Sequence, residues 1–408
     1  MNLRPRRPAR WVAAAVLVVI LASALYLGLV AVRRAQPLTL PAPDGPYRVG
    51  RTELTLTDKS RVDPLAPRPG TPRQLSVWLW YPASRIAINT RAPYAPGAWE
   101  GLHLDGVPGF FEGRFDVVRA HTLVDAPVAE GSFPVVVLEP GMGFAAPQYS
   151  ALAEGLASHG YLVAGVTPTY SANVTVLASG PVRSTRAGNP PDLGEGSSQA
   201  VAEAGRLVDL WAADARFVAA SVAALDRTGQ FADRVAKDRT TYVGHSFGGA
   251  ASLQACYTDK HCVAAADLDG IPYGSVVRSG LRAPMLLMGS EESCLVGTCR
   301  ADSADDRAHV AASRSLLAAS TGPVRCYTIR GARHLNFSDY GALYLARPVR
   351  SEMALGEIDG ARALRIQQDY LAAFLDQSTR RRPQPLLDDR PQRYPEVHAA
   401  PLCGVTGS

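Results

Sequence analysis

The sequence predicts an α/β architecture, a mostly parallel central sheet with helices on both faces, preceded by one long apolar segment. Three observations carry this expectation. Seven short aliphatic or β-branched runs, at 75–80, 135–139, 162–166, 240–244, 263–268, 285–289 and 324–329, alternate with helical stretches, the order that builds parallel sheets. Residues 203–226 place Leu207, Trp211, Val218, Val222 and Leu225 at helical spacing, a core-packing stripe rather than a cofactor site. Finally, a glycine-framed turn, Gly244-His245-Ser246-Phe247-Gly248-Gly249, lies between the strand-like Thr240-Thr241-Tyr242-Val243 and a small-residue helix start.

Taken in order, the chain begins with an almost wholly apolar run at residues 11–32, with Arg4, Arg6, Arg7 and Arg10 before it and Arg33 and Arg34 after it. As a helix this run is about 33 Å long, enough to cross a bilayer. Residues 1–34 are therefore expected to be an uncleaved signal-anchor. The arginines ahead of the span put the amino terminus in the cytoplasm and the remainder outside. Ala22-Ser23-Ala24 offers a small-residue cleavage site, so secretion after cleavage is the alternative. Residues 35–46 read as a Pro-rich spacer, 47–378 as a single α/β domain, and 379–408 as an extended Pro/Arg-rich tail.

Within the domain, residues 85–130 are rich in Gly, Pro and aromatics and lack clear periodicity. They read either as a lid bringing Trp99, Phe110 and Phe111 near a substrate pocket or as a surface insertion with an aromatic staple. Residues 177–200 read as a second irregular loop.

The net charge of +5 is unevenly spread. The first 34 residues hold six arginines and no acids, so removing them leaves −1 on residues 35–408. A nearly neutral domain gives no case for a nucleic-acid partner. Six cysteines, all beyond the apolar run, fit an oxidising compartment. Sequence proximity suggests Cys256–Cys262 and Cys294–Cys299, leaving Cys326–Cys403 to tie the tail to the last strand. No C-x-x-C pair or supporting histidine spacing points to zinc, and no metal or cofactor is expected. No sequence feature specifies an oligomeric state.

The glycine-framed turn carries the chemistry. G-x-S-x-G between a strand and a helix is the nucleophile elbow of the α/β-hydrolase fold, with Ser246 as the nucleophile. In that fold the acid and then the base follow the serine along the chain. Four histidines qualify. His261 lies in a polar turn, His309 in a charged helical stretch and His398 in the tail. His334 follows the strand-like Val324–Ile329 and a glycine turn, on a loop at the sheet's carboxyl edge, and is the expected base. His245 and His159 are assigned to packing or local hydrogen bonds. For the acid, Asp269 at the end of one strand competes with Glu291 and Glu292 after the next, and spacing does not choose. Strand alternation also points Asp267 and Asp269 to the same side.

Longer stretches resemble the platelet-activating-factor acetylhydrolase family of serine lipases. The resemblance rests on Gly45-Pro46-Tyr47-Arg48-Val49-Gly50, Leu79-Trp80-Tyr81-Pro82-Ala83, Leu156-Ala157-Ser158-His159-Gly160, Leu268-Asp269, and the run Ile329-Arg330-Gly331-Ala332-Arg333-His334-Leu335-Asn336-Phe337-Ser338-Asp339. It spans about residues 45–376 and implies Asp269 as the acid. With the fold's topology, it implies the backbone N–H groups of Met142 and Phe247 as oxyanion donors. Two departures stand out: Glu139-Pro140-Gly141-Met142 where the family has His-Gly, and Gly270-Ile271-Pro272-Tyr273 without the usual tryptophan. The resemblance implies calcium-independent hydrolysis of short or oxidised acyl esters of phospholipids through an acyl-enzyme. Alternatives are a polyester- or cutin-type esterase and a non-catalytic hydrolase-fold envelope protein.

Overall fold

The computed structural model describes residues 7–193, 195–227, 229–388 and 393–403; Arg4 and Arg6 of the basic cluster lie outside them. The first half of the chain contains α1 (Arg7–Arg34), β1 (Arg48–Val62), β2 (Pro72–Ala83), β3 (Val118–Val124), β4 (Phe133–Glu139), α2 (Ser150–Ser158), β5 (Leu162–Thr167) and α3 (Ser198–Leu225). The second contains β6 (Val235–His245), α4 (Phe247–Thr258), β7 (Cys262–Leu268), β8 (Met285–Gly289), α5 (Ala304–Ala319), β9 (Val324–Ile329), α6 (Gly360–Arg380) and β10 (Val397–Ala399).

The β4 run is apolar at nearly every position, so its strand needs cover on both faces. It finds both. Val136 and Leu138 pack into a layer with Leu152 and Leu156 of α2 and Tyr370 of α6. Val135 and Val137 face the opposite layer, with Val218 and Val222 of α3 and Leu253 of α4. The strand order is β3-β1-β2-β5-β4-β6-β7-β8-β9-β10, and β5 through β9 are mutually parallel. This is the α/β-hydrolase fold, with an apolar helix ahead of it. Because the central strands run in parallel, the carboxyl ends of β4, β6, β7, β8 and β9 gather at one edge.

All seven expected strands and the helix near 203–226 are present. Several regions differ from expectation. Residues 85–130 are not one loop: Val118–Val124 joins the sheet as β3, and Arg91–Pro93 pairs with it. Trp99 is buried edge-to-face against Trp78, with ring centroids 5.7 Å apart, so it staples the loop to the sheet. The 177–200 loop begins within a two-strand hairpin, Val174–Leu177 with Gly180–Arg183. The expected tail boundary at 378/379 falls inside α6. Beyond it, β10 pairs antiparallel with β9.

Disulfides join Cys256 to Cys262, Cys294 to Cys299 and Cys326 to Cys403. The apolar helix α1 has a 25-residue stretch, Arg10–Arg34, containing an 18-residue window of mean hydropathy 2.7, long and apolar enough to cross a membrane. Its last turn meets the domain, where the Arg114 N–H donates to the Arg34 carbonyl at 3.0 Å.

Candidate active site

The β6–α4 turn forces Ser246 into an unusual backbone conformation, φ 56° and ψ −125°. Glycine makes that turn possible. A Cβ on Gly244 would sit 2.1 Å from the Gly248 carbonyl oxygen, and one on Gly248 would sit 2.3 Å from the Pro140 carbonyl oxygen. The serine hydroxyl is thus held at the sheet edge, at the amino end of α4, whose first N–H groups have no intrahelical acceptor. Phe247, the second half of the expected oxyanion pair, supplies the first of them.

His334 arrives on the loop after β9. Its Nε2 is 2.9 Å from Ser246 Oγ and its Nδ1 is 2.8 Å from Asp269 Oδ2. Asp269 follows β7 with φ 58°, so it has left the extended conformation and strand alternation with Asp267 does not hold. Asp267 instead accepts the Gly270 N–H at 2.8 Å, and burial pushes its carboxyl well above the usual range. Asp269 Oδ1 accepts the Ser290 N–H at 2.7 Å. Burial would raise its carboxyl, but the His334 imidazole and the Ser290 N–H outweigh that and hold it below the usual range.

The rival carboxylates are engaged elsewhere. Glu291 accepts the Gly331 N–H at 2.7 Å, and Glu292 pairs with Arg333. Neither bonds His334. The other downstream histidines are also accounted for: His261 pairs with Asp238, His309 lies on α5, and His398 lies on β10. His159 makes a local bond to the Gly155 carbonyl at 2.9 Å.

Met142 lies in the turn after β4, where Gly143 takes φ 82°. Its side chain packs against the apolar cluster that contains Phe247, Tyr273 and Trp211. The departure at Glu139 has a structural use. Its buried carboxyl accepts the Ser252 hydroxyl at 3.0 Å, tying the strand before the Met142 turn to the elbow helix. Gly143 and Phe144 of that turn help line a cavity of about 620 Å³, together with residues 101–105, Gln148, Asn173, Arg183, Ser184, Tyr340 and Met353.

Two participants escaped the sequence reading in whole or in part. Tyr149 was not singled out. His245 does make hydrogen bonds, as expected, but they reach residues 96 and 89 positions away. No spacing rule links such partners; only the elbow position of His245 hinted at proximity to Ser246. Among the described residues, Cys294, Asp306 and His309 offer ligand atoms within 4.8 Å of one another. Cys294 is in a disulfide and Asp306 caps α5 through Ser303, which leaves His309 alone with a free ligand atom.

The profile of the platelet-activating factor acetylhydrolase, isoform II, family matches residues 220–383, which include Ser246, Asp269 and His334. A protein from Arthroderma benhamiae named "Probable 1-alkyl-2-acetylglycerophosphocholine esterase" is 25% identical over 390 residues, covering 88% of this chain and 92% of that protein. The chain thus resembles the platelet-activating factor acetylhydrolase, isoform II, family over the segment that holds all three of these residues. A solved ferulic acid esterase from Streptomyces cinnamoneus superposes with a TM-score of 0.71 at 31% identity, covering 89% of this chain and 99% of that one. The protein is an ester-hydrolysing enzyme.

Proposed function

We propose that the protein is a membrane-anchored serine esterase working through an acyl-enzyme, with Ser246 as nucleophile, His334 as general base and acid, and Asp269 as the orienting carboxylate. The observation that carries this reading is the unbroken chain Ser246 Oγ–His334 Nε2 at 2.9 Å and His334 Nδ1–Asp269 Oδ2 at 2.8 Å, on a strained serine. Ser246 Oγ attacks the ester carbonyl as its proton passes to His334 Nε2. The Asp269 carboxylate keeps Nδ1 protonated, fixes the tautomer and stabilises the imidazolium. His334 then protonates the departing alkoxide. Water then attacks the acyl carbonyl as its proton passes to the same nitrogen, and His334 returns that proton to Ser246 Oγ as the bond to the acid breaks. The N–H groups of Met142 and Phe247 receive the oxyanion, and each is expected to contribute about 2.7–4 kcal/mol to the transition state.

For substrate we infer short or oxidised acyl esters of glycerophospholipids, supported by the acetylglycerophosphocholine esterase relative. The apolar helix α1 and its flanking arginines favour an anchored enzyme with its catalytic domain outside the cytoplasm. A second reading, an esterase of aromatic or polymeric carboxylic esters, draws on the ferulic acid esterase neighbour. The full chain in detergent, and its Ser246→Ala variant, are to be assayed on acetyl- and long-acyl glycerophosphocholines, methyl ferulate and a polyester film, alongside fluorophosphonate labelling. Labelling and hydrolysis that both vanish in Ser246→Ala support the mechanism, and the preferred ester decides the substrate. Activity that survives Ser246→Ala rejects the mechanism.

A further inference from the structure

The residue before the nucleophile is a buried histidine with no part in the proton transfers described above. His245 is 1% exposed, and both of its ring nitrogens are engaged. Nδ1 is 2.8 Å from the Tyr149 hydroxyl, and Nε2 is 3.0 Å from the main-chain carbonyl of His334. The direction of these bonds can be read from their neighbours. A carbonyl only accepts, so Nε2 carries a proton. The Tyr149 oxygen already accepts the Gly141 N–H at 2.8 Å, leaving its single proton for Nδ1. One neutral tautomer satisfies every partner. The network therefore runs from the Gly141 N–H, through Tyr149 and His245, to the backbone of His334.

Gly141 immediately precedes Met142. A Cβ on Gly141 would lie 3.2 Å from His245 Nδ1, 3.3 Å from Ser246 Cβ and 3.4 Å from the Tyr149 hydroxyl, so the turn is seated directly on the imidazole and the elbow. We propose that neutral His245 is a positioning residue that locks the oxyanion turn at Gly141-Met142 to the backbone of the base His334, fixing two parts of the site that approach Ser246 from separate loops. The proposal rests on the reading of Ser246 and His334 as nucleophile and base.

The surroundings favour the neutral ring. Burial, then the neighbouring His334, holds His245 well below the ordinary histidine value, while the Asp269 carboxylate pulls weakly the other way. The titratable groups facing the ring are Tyr149 from the α2 side, His334 from the base loop and Asp269 from the loop after β7. Phe337 stacks near-parallel at 6.1 Å. The His245 and His334 rings are 4.6 Å apart. A neutral His245 leaves the positive charge that forms on His334 during catalysis without a like-charged neighbour.

The test compares His245→Leu, His245→Gln, Tyr149→Phe and Ser246→Ala in the full chain, on p-nitrophenyl acetate, with fluorophosphonate titration of active sites. His245→Leu is expected to lower kcat by about tenfold or more with KM within about twofold, since the effect falls on transition-state groups. His245→Gln, whose amide can accept at one end and donate at the other, is expected to recover most of that loss. Tyr149→Phe should lower kcat in the same sense, and adding it to His245→Leu should cost less than the product of the two single effects. In the wild type, nitrogen NMR is expected to show His245 protonated only at Nε2 from about pH 5.5 to 8. Wild-type kcat in both His245→Leu and Tyr149→Phe, a glutamine no better than leucine, or a cationic His245 across that range would each overturn the proposal. Activity surviving in Ser246→Ala would instead overturn the mechanism on which it rests, so the two failures are distinguishable.

Discussion

Asp339 reaches back across 189 positions to Ser150, accepting its N–H at 2.9 Å and that of Ala151 at 3.1 Å. These are the first N–H groups of α2, which have no acceptor within the helix. The last residue of the histidine-loop motif thus holds the helix that follows the Met142 turn.

This contact makes stability pH-dependent. Burial pushes the Asp339 carboxyl up to about 7, against the opposing Ala151 N–H and Tyr94 hydroxyl. An unfolded Asp titrates near 3.9, so between roughly pH 4 and 7 the folded chain holds the extra proton. That stabilisation is complete below about pH 4 and is lost as pH rises through about 7. Asp339→Asn, which mimics the neutral acid, is expected to flatten this part of the profile. Urea midpoints from pH 4.5 to 8 measure it, and identical slopes in the two proteins would count against Asp339.

A second prediction separates the three carboxylates at the sheet edge. Asp269→Asn is expected to lower kcat by roughly four orders of magnitude, because the amide leaves His334 in the wrong tautomer. Glu291→Gln and Glu292→Gln should keep most activity, since their partners are the Gly331 N–H and Arg333. Steady-state kinetics with active-site titration decide it. Near-normal turnover in a folded Asp269→Asn enzyme would move the acid elsewhere.

The Cys326–Cys403 bridge spans 77 positions, joining β9 to the segment after β10. Chain-entropy reasoning assigns a loop of this size about 4 kcal/mol. Replacing both cysteines by serine is expected to lower the denaturant midpoint accordingly. It should also speed hydrogen exchange in the His334 loop before global unfolding. Unchanged exchange and midpoint would show that β10 holds through packing alone.

Location is the fourth prediction. Activity is expected to sediment with membranes, and the catalytic domain to be cleaved by protease added from the outer side. Amino-terminal sequencing of the mature protein that begins near Leu25, with freely soluble activity, would establish cleavage instead.

The sequence made the central strands, the elbow and the His334 loop legible, because each has a strong local signature: an unbroken apolar run, glycines that sterics demand, or a motif of several residues. The acid was harder. Asp269, Glu291 and Glu292 end neighbouring strands, and what separates them is which donors reach each carboxylate, a property of the folded edge. β3 was hidden because Val118-Arg119-Ala120-His121-Thr122-Leu123-Val124 alternates weakly and sits among Gly, Pro and aromatic residues. β1 carries polar side chains on a strand near the sheet edge and has no long apolar run. Tyr149 was invisible for a different reason: its role depends on Gly141 and His245, which meet only once β4 and β6 lie side by side.

The wall of the 620 Å³ cavity is largely separate in sequence from the triad. Ser246, Asp269 and His334 all fall within residues 220–383, whereas the cavity is lined mainly by residues between Gly101 and Ser184, with Tyr340 and Met353 as the exceptions. The cavity wall and the triad residues are therefore encoded in largely separate parts of the chain, so substitutions in the early segments can reshape the cavity without replacing Ser246, Asp269 or His334.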